Sequence, residues 1–292
     1  MVTRDAYCGV VIVHYGDPAP TQGCLAALRA DRSVCDRRVV VVDNAGNFAE
    51  GSAVGSSVVR PRRNLGFGAG ANAGVAALGP GLPPALVVLN NDVEVANGFL
   101  DAAAAAVARP GVGAAGGPLY LDRPGGVLWY AGGGVNWLAG TVLQSRSADA
   151  AARARDVGFI PGAALALGGA AWQQVGGFDP AYFLFHEDLD LCLRLRRRGW
   201  RLYFEPAMAA VHRLGATTGS SERSPLYLEE LTATRLRPFR PLAYRLFLVT
   251  LQTGYVALRA VRWRLAGRGD AGRAAARALL RGHRRALGTL FH

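Results

Sequence analysis

The sequence predicts an α/β fold: a mainly parallel sheet flanked by helices, followed by a basic helical C-terminal extension. Three observations carry that expectation. The runs GVVIVHY (9–15), RRVVVVDN (37–44) and PALVVLNNDVEV (84–95) have the continuous β-branched composition of strands buried on both faces. Shorter helical stretches alternate with them through the first hundred residues, as in strand–helix–strand units. The charge is also uneven. Of a net +12, the residues from Pro225 onward hold thirteen Arg against Glu229, Glu230 and Asp270, which is +10.

Taken in order, TQGCLAALRA (21–30) fits a short helix, SSVVRP (56–61) a third strand, and residues 69–78 an Ala-rich helix. The strand at 84–95 ends abruptly in polar residues. NGFLDAAAAAVARPG (97–111) reads as a helix stopped by Pro110 and Gly111. The Gly-rich section that follows predicts a hairpin around VLWYAGGGVNWLAGTVL (127–143). In FHEDLDLCLRLRRRGW (185–200) acids precede arginines, which matches a helix dipole, and Gly199 makes a good stop. Asp190 and Arg194 can pair at i,i+4. The alternation of Leu189, Leu191, Leu193 and Leu195 fits a strand as well as a buried helix. WRLYFEPAMAAVHR (200–213) reads as a strand. Two units result: a domain over residues 1–225 and an extension over 226–292.

At 292 residues and 51% hydrophobic, the chain can bury one large core. All 33 basic residues are Arg. Cys8, Cys24, Cys35 and Cys192 show no metal-binding spacing, which points to a reduced, cytoplasmic protein. The apolar run near the N-terminus reads as a strand rather than a signal peptide. LFLVTLQTGYVAL (246–258) is too short for a spanning helix and carries Gln252. The basic tail suits the phosphates of nucleic acid or the anionic face of a membrane.

In parallel sheets, ligands bind at the carboxyl ends of the strands. His14 and Tyr15, Asp43 and Asn44, and the stretch from Asn90 to Glu94 stand there. Asp43 can accept hydrogen bonds from a pyrimidine N–H or a ribose hydroxyl, or it can organise an Asx turn. Asp92 can hold a divalent cation on a nucleotide diphosphate, or serve a polar turn; Glu94 ranks behind it. His212 can be a ligand or a rim residue. NLGFGAGANAG (64–74) nearly matches a dinucleotide fingerprint at Gly66, Gly68 and Ala71. Two stronger strands precede it, however, and Arg60, Arg62, Arg63 and Asn64 interrupt the approach. A further reading is a helix N-terminus near a diphosphate, with Arg63 adding positive charge.

Together, VVIVHY, VVVDNAG, RNLGFGAGANAG, VVLNNDVEV, GGFDPAYFLFHEDLDLCLRLRRRGW and FEPAMAAVHRLGATTG resemble glycosyltransferase family 2, especially its rhamnosyltransferase-like branch. The resemblance runs from about Gly9 to about Ser220. It implies a GT-A fold and inverting transfer of a sugar, rhamnose or another hexose, from a dTDP- or UDP-linked donor to an acceptor hydroxyl. Asp43 matches the base-recognising carboxylate, with Tyr15 and the backbone near Val13 lining the base pocket. Asn64 and Asn72 match polar positions of the nucleotide loop, and Arg63 and Asn91 complete the expected donor contacts. Asp92 and His212 match ligands of a divalent cation, Mg²⁺ or Mn²⁺. Asp188 matches the general base and Glu187 lies beside the acceptor, leaving Asp190 structural.

Two departures stand out. Asn90 and Asn91 occupy positions that are acidic in many relatives, so a cation depends more on phosphates and His212. His186 stands where the branch often carries an aromatic residue.

Acceptors of this kind are glycans, glycolipids or natural products. The extension is consistent with an interfacial helix on the inner face of the membrane or with homodimer pairing. The rival from another class is an Arg-rich nucleic-acid-binding protein, which leaves the Asp43, Asp92 and Asp188 series unexplained; the resemblance implies no nucleic-acid partner. An NAD(P)-dependent enzyme is a weaker rival.

Overall fold

The computed structural model describes residues 7–49, 51, 55–213, 224–265 and 269–290. The resembling segment beyond Arg213, including GATTG, lies outside them. The chain opens with β1 (Tyr7–His14), α1 (Pro18–Ala30), β2 (Asp36–Asp43), β3 (Ser56–Val59), α2 (Phe67–Ala77), β4 (Ala85–Asn90), β5 (Val93–Val95) and α3 (Phe99–Val107). The central section contributes β6 (Val112–Gly116), β7 (Leu119–Tyr120), β8 (Leu128–Tyr130), β9 (Gly133–Asn136) and β10 (Thr141–Gln144). Then follow α4 (Ala148–Ala151), β11 (Arg155–Val157), β12 (Ala164–Gly168) and α5 (Gly169–Val175). After α6 (Glu187–Arg197), β13 (Arg201–Phe204) and β14 (Ala210–His212) come α7 (Pro225–Thr234), α8 (Leu242–Leu265) and α9 (Gly269–Gly288).

The main sheet has the order β11-β13-β6-β12-β4-β1-β2-β3. β1 runs parallel to β2 and β4, β2 to β3, and β6 to β13; β12 is antiparallel to both its neighbours. The Val/Ile/Leu runs of β1, β2 and β4 form its middle because both faces are covered there; Val10, Val11, Ile12, Val41 and Val88 are fully buried. Asp17 caps α1 through Ala19 N at 2.9 Å, and Pro18 occupies the first turn, so the helix starts before Thr21.

Two expected strands divide. The stretch at 84–95 leaves the main sheet after Asn90, whose N–H bonds to Ala163 O at 2.9 Å, and β5 joins a separate sheet of order β5-β14-β7-β8. The stretch at 200–213 breaks at Pro206, which has no N–H for a ladder, with Met208 N turning back to Glu205 O at 3.0 Å. The hairpin at 127–143 forms between β9 and β10, while β8 pairs with β7.

Register then fixes the working edge. His14 stands opposite Asp43, Val13 opposite Asn90, and Leu89 opposite Ala164. The carboxyl ends of β1, β2 and β4 therefore meet the start of β12.

The extension packs onto this body and also builds a core of its own. Leu236, Phe239, Leu248, Ala286 and Leu290 join the main core, whereas Leu228, Val256, Ala275, Ala278 and Leu279 form a second cluster. Arg235 Nη2 donates to Ala139 O at 2.6 Å, and the Tyr244 hydroxyl donates to Trp137 O. Among the described residues no helix is long and apolar enough to cross a membrane.

Candidate active site

At the end of β2 the Asp43 carboxylate is filled from within the chain. Oδ1 accepts from the N–H groups of Ala45, Gly46 and Asn47 at 2.7–3.3 Å. Oδ2 accepts from Phe48 N at 3.0 Å and Arg60 Nε at 3.2 Å. Burial alone would raise its pKa; the Phe48 and Gly46 N–H groups and the Arg60 guanidinium overcome that and hold it below the usual value. Asp43 is 1% exposed and shapes the 44–48 loop.

The end of β1 is equally committed. His14 Nδ1 lies 2.6 Å from Thr21 Oγ1, and Nε2 lies 2.8 Å from Asn47 Oδ1. Asn91 Nδ2 reaches Thr21 Oγ1 at 3.0 Å and Tyr15 O at 3.4 Å, so this amide braces the turn after β4 against α1 and the end of β1. Val13 is enclosed too: its backbone is paired on both sides, and its Cγ1 closes over Gly70. Tyr15, by contrast, is 47% exposed.

The glycine loop before α2 is held by amides. Asn44 Nδ2 donates to Gly66 O at 3.0 Å and Asn64 Oδ1 accepts from Gly66 N at 2.9 Å. Gly66 has φ 79°, and a Cβ there would sit 2.0 Å from Phe183 O, so only glycine allows the approach. Asn72 spends its amide on Phe178, donating to its O at 2.8 Å and accepting from its N at 2.9 Å. That pair of bonds makes Asn72 a brace between α2 and the Gly177–Phe178 chain. Arg63 is exposed. Because this loop follows β3 rather than β1, the dinucleotide fingerprint does not apply.

Where β4 ends, Asp92 and His212 face one another. Asp92 Oδ1 lies 3.2 Å from His212 Nε2, both residues are buried, and Asp92 Oδ1 has no hydrogen-bond partner among the described residues. Pairing of β5 with β14 sets this meeting, since His212 stands opposite Val93. Trp129 packs edge-on against the imidazole at 5.1 Å. An orphaned carboxylate oxygen and an imidazole nitrogen make two fitting ligands for a divalent cation. Among the described residues no cluster of three or more His, Cys, Asp or Glu could complete a shell, so further ligands would be donor phosphates or water. Glu94 is bound instead to Arg213, at 3.1 and 3.2 Å.

Asp188 and Glu187 open α6. Asp188 Oδ2 accepts from Gly162 N at 3.0 Å and Oδ1 from Leu189 N at 2.7 Å. Because Ala163 O also accepts from Asn90 N, the Gly162–Ala163 segment ties Asp188 to the edge that carries Asp92. Burial raises the Asp188 pKa, and these N–H groups offset only part of it. Glu187 is buried, with Oε2 unpartnered among the described residues; burial first, then the Asp188 charge, pushes its pKa up to about 8. Burial thus favours the protonated form of both carboxyls, and the charge of Asp188 adds to that on Glu187. Asp190 is structural, bound to Arg194 Nε at 2.5 Å. Just before the pair, Phe185 and His186 both adopt left-handed backbone, with φ 67° and 65°, at a cost of about 1–2 kcal/mol per residue.

Sequence reasoning missed Thr21, Arg60, Gly162 and the bracing role of Asn44. Their partners lie 7 to 26 residues away and follow no helical or strand period.

The sequence model of a family described as "Glycosyltransferase like family 2" matches residues 9–237, reaching past β14 and the end of α7. An N-acetylglucosaminyl-diphospho-decaprenol L-rhamnosyltransferase of Mycobacterium tuberculosis is 33% identical over 186 residues, which is 56% of this chain and 60% of that protein. Rhamnosyltransferase WbbL of Escherichia coli is 54% identical over 39 residues, 13% of this chain and 15% of its own. The chain thus spans less than two thirds of either relative's length. Among solved structures, a mannosyltransferase of Pyrobaculum calidifontis in complex with GDP-Man and Mn²⁺ superposes with TM-score 0.54 at 15% identity, over 96% of this chain and 86% of that one. TarS of S. aureus in complex with UDP-GlcNAc gives 0.54 at 15% identity, over 83% and 70%. These likenesses show the GT-A fold, and the family model, matching residues 9–237 of the 292, shows that the chain belongs to glycosyltransferase family 2.

Proposed function

We propose that the chain is an inverting glycosyltransferase that moves a sugar from a dTDP- or UDP-linked donor to an acceptor hydroxyl, with Asp188 as general base. The observation that carries this reading is the placement of Asp188. It is half-buried, fixed by Gly162 N at 3.0 Å, and tied through Ala163 to the edge bearing Asp92 and His212.

A sugar hydroxyl is a poor nucleophile. As its oxygen attacks the anomeric carbon, its proton passes to Asp188, and the bond to the donor diphosphate breaks on the opposite face. Glu187, whose burial favours its protonated form, lies beside the acceptor. Asp92 and His212 would hold a Mg²⁺ or Mn²⁺ ion, which supplies neutralising charge for the departing diphosphate. Mn²⁺ in the complex of the Pyrobaculum mannosyltransferase supports a divalent cation in general. Tyr15 offers an exposed ring face for the base, and Arg63 and Asn64 flank the loop beside the diphosphate. Asp43 acts by shaping the 44–48 loop.

The names of the two bacterial relatives support a rhamnose-type donor, and the decaprenol of the first supports a lipid-linked glycan acceptor. A peripheral position on the inner membrane face fits α8, whose Leu242, Leu246, Phe247, Leu251, Tyr255 and Leu258 are all exposed on a segment of +10 charge. A second copy would bring like charge against like, so we favour the lipid surface over a dimer.

A screen of nucleotide sugars for metal-dependent binding and slow hydrolysis tests the reading. At least one dTDP- or UDP-sugar should bind more tightly with Mg²⁺ or Mn²⁺ present. Failure of every such donor to bind would overturn it.

A further inference from the structure

The helix that carries Asp188 begins in an unusual way. Its N-cap residue, His186, makes no side-chain bond to its own helix. Caps at this position normally satisfy one of the orphan N–H groups of the first turn. Here the imidazole leaves the helix, and its Nδ1 lies 2.9 Å from Thr234 Oγ1, at the end of α7. The Thr234 hydroxyl gives its only hydrogen to Glu230 O at 2.8 Å, so His186 Nδ1 must be the donor. Nδ1 therefore carries a proton, and burial first, with Arg235 second, pushes the imidazole pKa down to about 4, which favours the neutral form.

Three further contacts join the same two parts of the chain. The Phe185 ring meets Tyr227 of α7 edge-on at 4.6 Å. The Arg237 guanidinium lies 5.8 Å from the ring centre of the buried Tyr182. At the far end of α6, Arg197 Nη2 donates to Pro238 O at 2.8 Å. The segment 227–238 thus brackets α6 at both ends. α7 is in turn braced by α9: Arg281 Nε reaches Glu229 at 2.7 Å, Arg285 Nη1 reaches Glu230 at 2.5 Å, and a Cβ on Gly282 would lie 2.4 Å from Glu229 O.

Two consecutive left-handed residues with large side chains persist only where their surroundings over-determine them, and such backbone collects at functional sites. The surroundings here are supplied by the C-terminal extension. We propose that α7 is a positioning element of the transfer site: Thr234 and Tyr227 hold the Phe185–His186 turn left-handed and thereby aim the Asp188 carboxylate at the acceptor. His186, Thr234 and Tyr227 are positioning residues that touch no reacting atom. This inference rests on the reading of Asp188 as the base.

Thr234→Val keeps the shape of the side chain but removes the acceptor for His186. It should lower kcat about ten- to a hundredfold, the scale expected when a catalytic group is misaimed, while leaving KM for the nucleotide sugar within about twofold. Thr234→Ser should restore kcat. In ¹⁵N-histidine spectra of the wild type, feasible with five histidines, His186 should show a protonated Nδ1 that Thr234→Val alters and Thr234→Ser retains. If Thr234→Val loses its native melting transition, His186→Gly removes the same link and relieves the backbone, with the same expected kinetic split.

Wild-type kcat in Thr234→Val or His186→Gly, or a loss of kcat matched by equal loss of nucleotide-sugar binding, would overturn the inference. Asp188→Asn run alongside separates the two levels. An active Asp188→Asn sinks the base assignment and this inference with it. An inactive Asp188→Asn beside a fully active Thr234→Val sinks the inference alone.

Discussion

Gly162 donates its backbone N–H to Asp188 Oδ2 across 3.0 Å, from the segment that leads into β12 to the first turn of α6. One carboxylate oxygen is thereby fixed by rigid backbone and the other by Leu189 N at 2.7 Å. Each oxygen retains a lone pair for an incoming proton. Asp188→Asn preserves this shape and removes the basicity. Turnover should fall by about 10²–10⁴-fold with nucleotide-sugar affinity nearly unchanged. Steady-state kinetics with a separate binding titration checks it, and retention of more than about a tenth of wild-type kcat would remove Asp188 from the role.

Asp92 Oδ1 is buried without a hydrogen-bond partner among the described residues, 3.2 Å from His212 Nε2. Asp92→Ala should weaken nucleotide binding measured with Mn²⁺ and leave the weaker binding measured in EDTA unchanged. His212→Ala should do the same to a smaller degree, since an imidazole brings no formal charge. Equal loss with and without metal would assign the pair to structure alone.

Glu187 gives the fold a pH dependence whose sign follows from burial. Its folded pKa of about 8 exceeds the ordinary carboxylate value, so the native state holds a proton that the unfolded chain has released. The stability from this group is full below the unfolded pKa, near 4.5, and is lost as pH rises through about 8. Glu187→Gln cannot ionise. Its melting temperature should gain steadily on the wild type between pH 5 and pH 8.5, by ranges set from those two pKa values. A constant difference across that range would show that Glu187 is charged in the folded protein.

The exposed apolar face of α8 predicts binding to anionic vesicles that weakens with salt, because arginines flank it. Replacing Leu246, Phe247 and Leu251 together by Ser should abolish co-flotation while leaving transfer to a soluble acceptor intact. Binding to neutral and anionic vesicles alike, or to neither, would remove the charged membrane surface as the partner.

The central strands were legible because β1, β2 and β4 are covered on both faces and so read as unbroken Val, Ile and Leu. Asp43, Asp92, Asp188 and His212 were legible as polar residues at element ends, made coherent by the family resemblance. What remained hidden depends on partners far along the chain. Asn72 faces Phe178 across 106 residues, and Asn91 faces Thr21 across 70, so no local period distinguishes a bracing amide from one that meets a ligand. In α6, leucines at alternate positions left helix and strand equally open. The helix buries Leu189, Leu191, Cys192, Leu193 and Leu195 around most of its circumference, which erases a one-sided pattern.

The bracket that α7 places on α6 bears on how the chain can be divided. A boundary at Pro225, natural by charge and composition, cuts between Asp188 and the residues that hold its turn. It also strips Leu236 and Phe239 from the main core and the Arg235 bond from Ala139. A cut just beyond Pro238 would still part α7 from the α9 arginines that brace it and take Leu248, Ala286 and Leu290 from the main core, so a unit that keeps the alignment of this turn has to carry α7 and α9 with it.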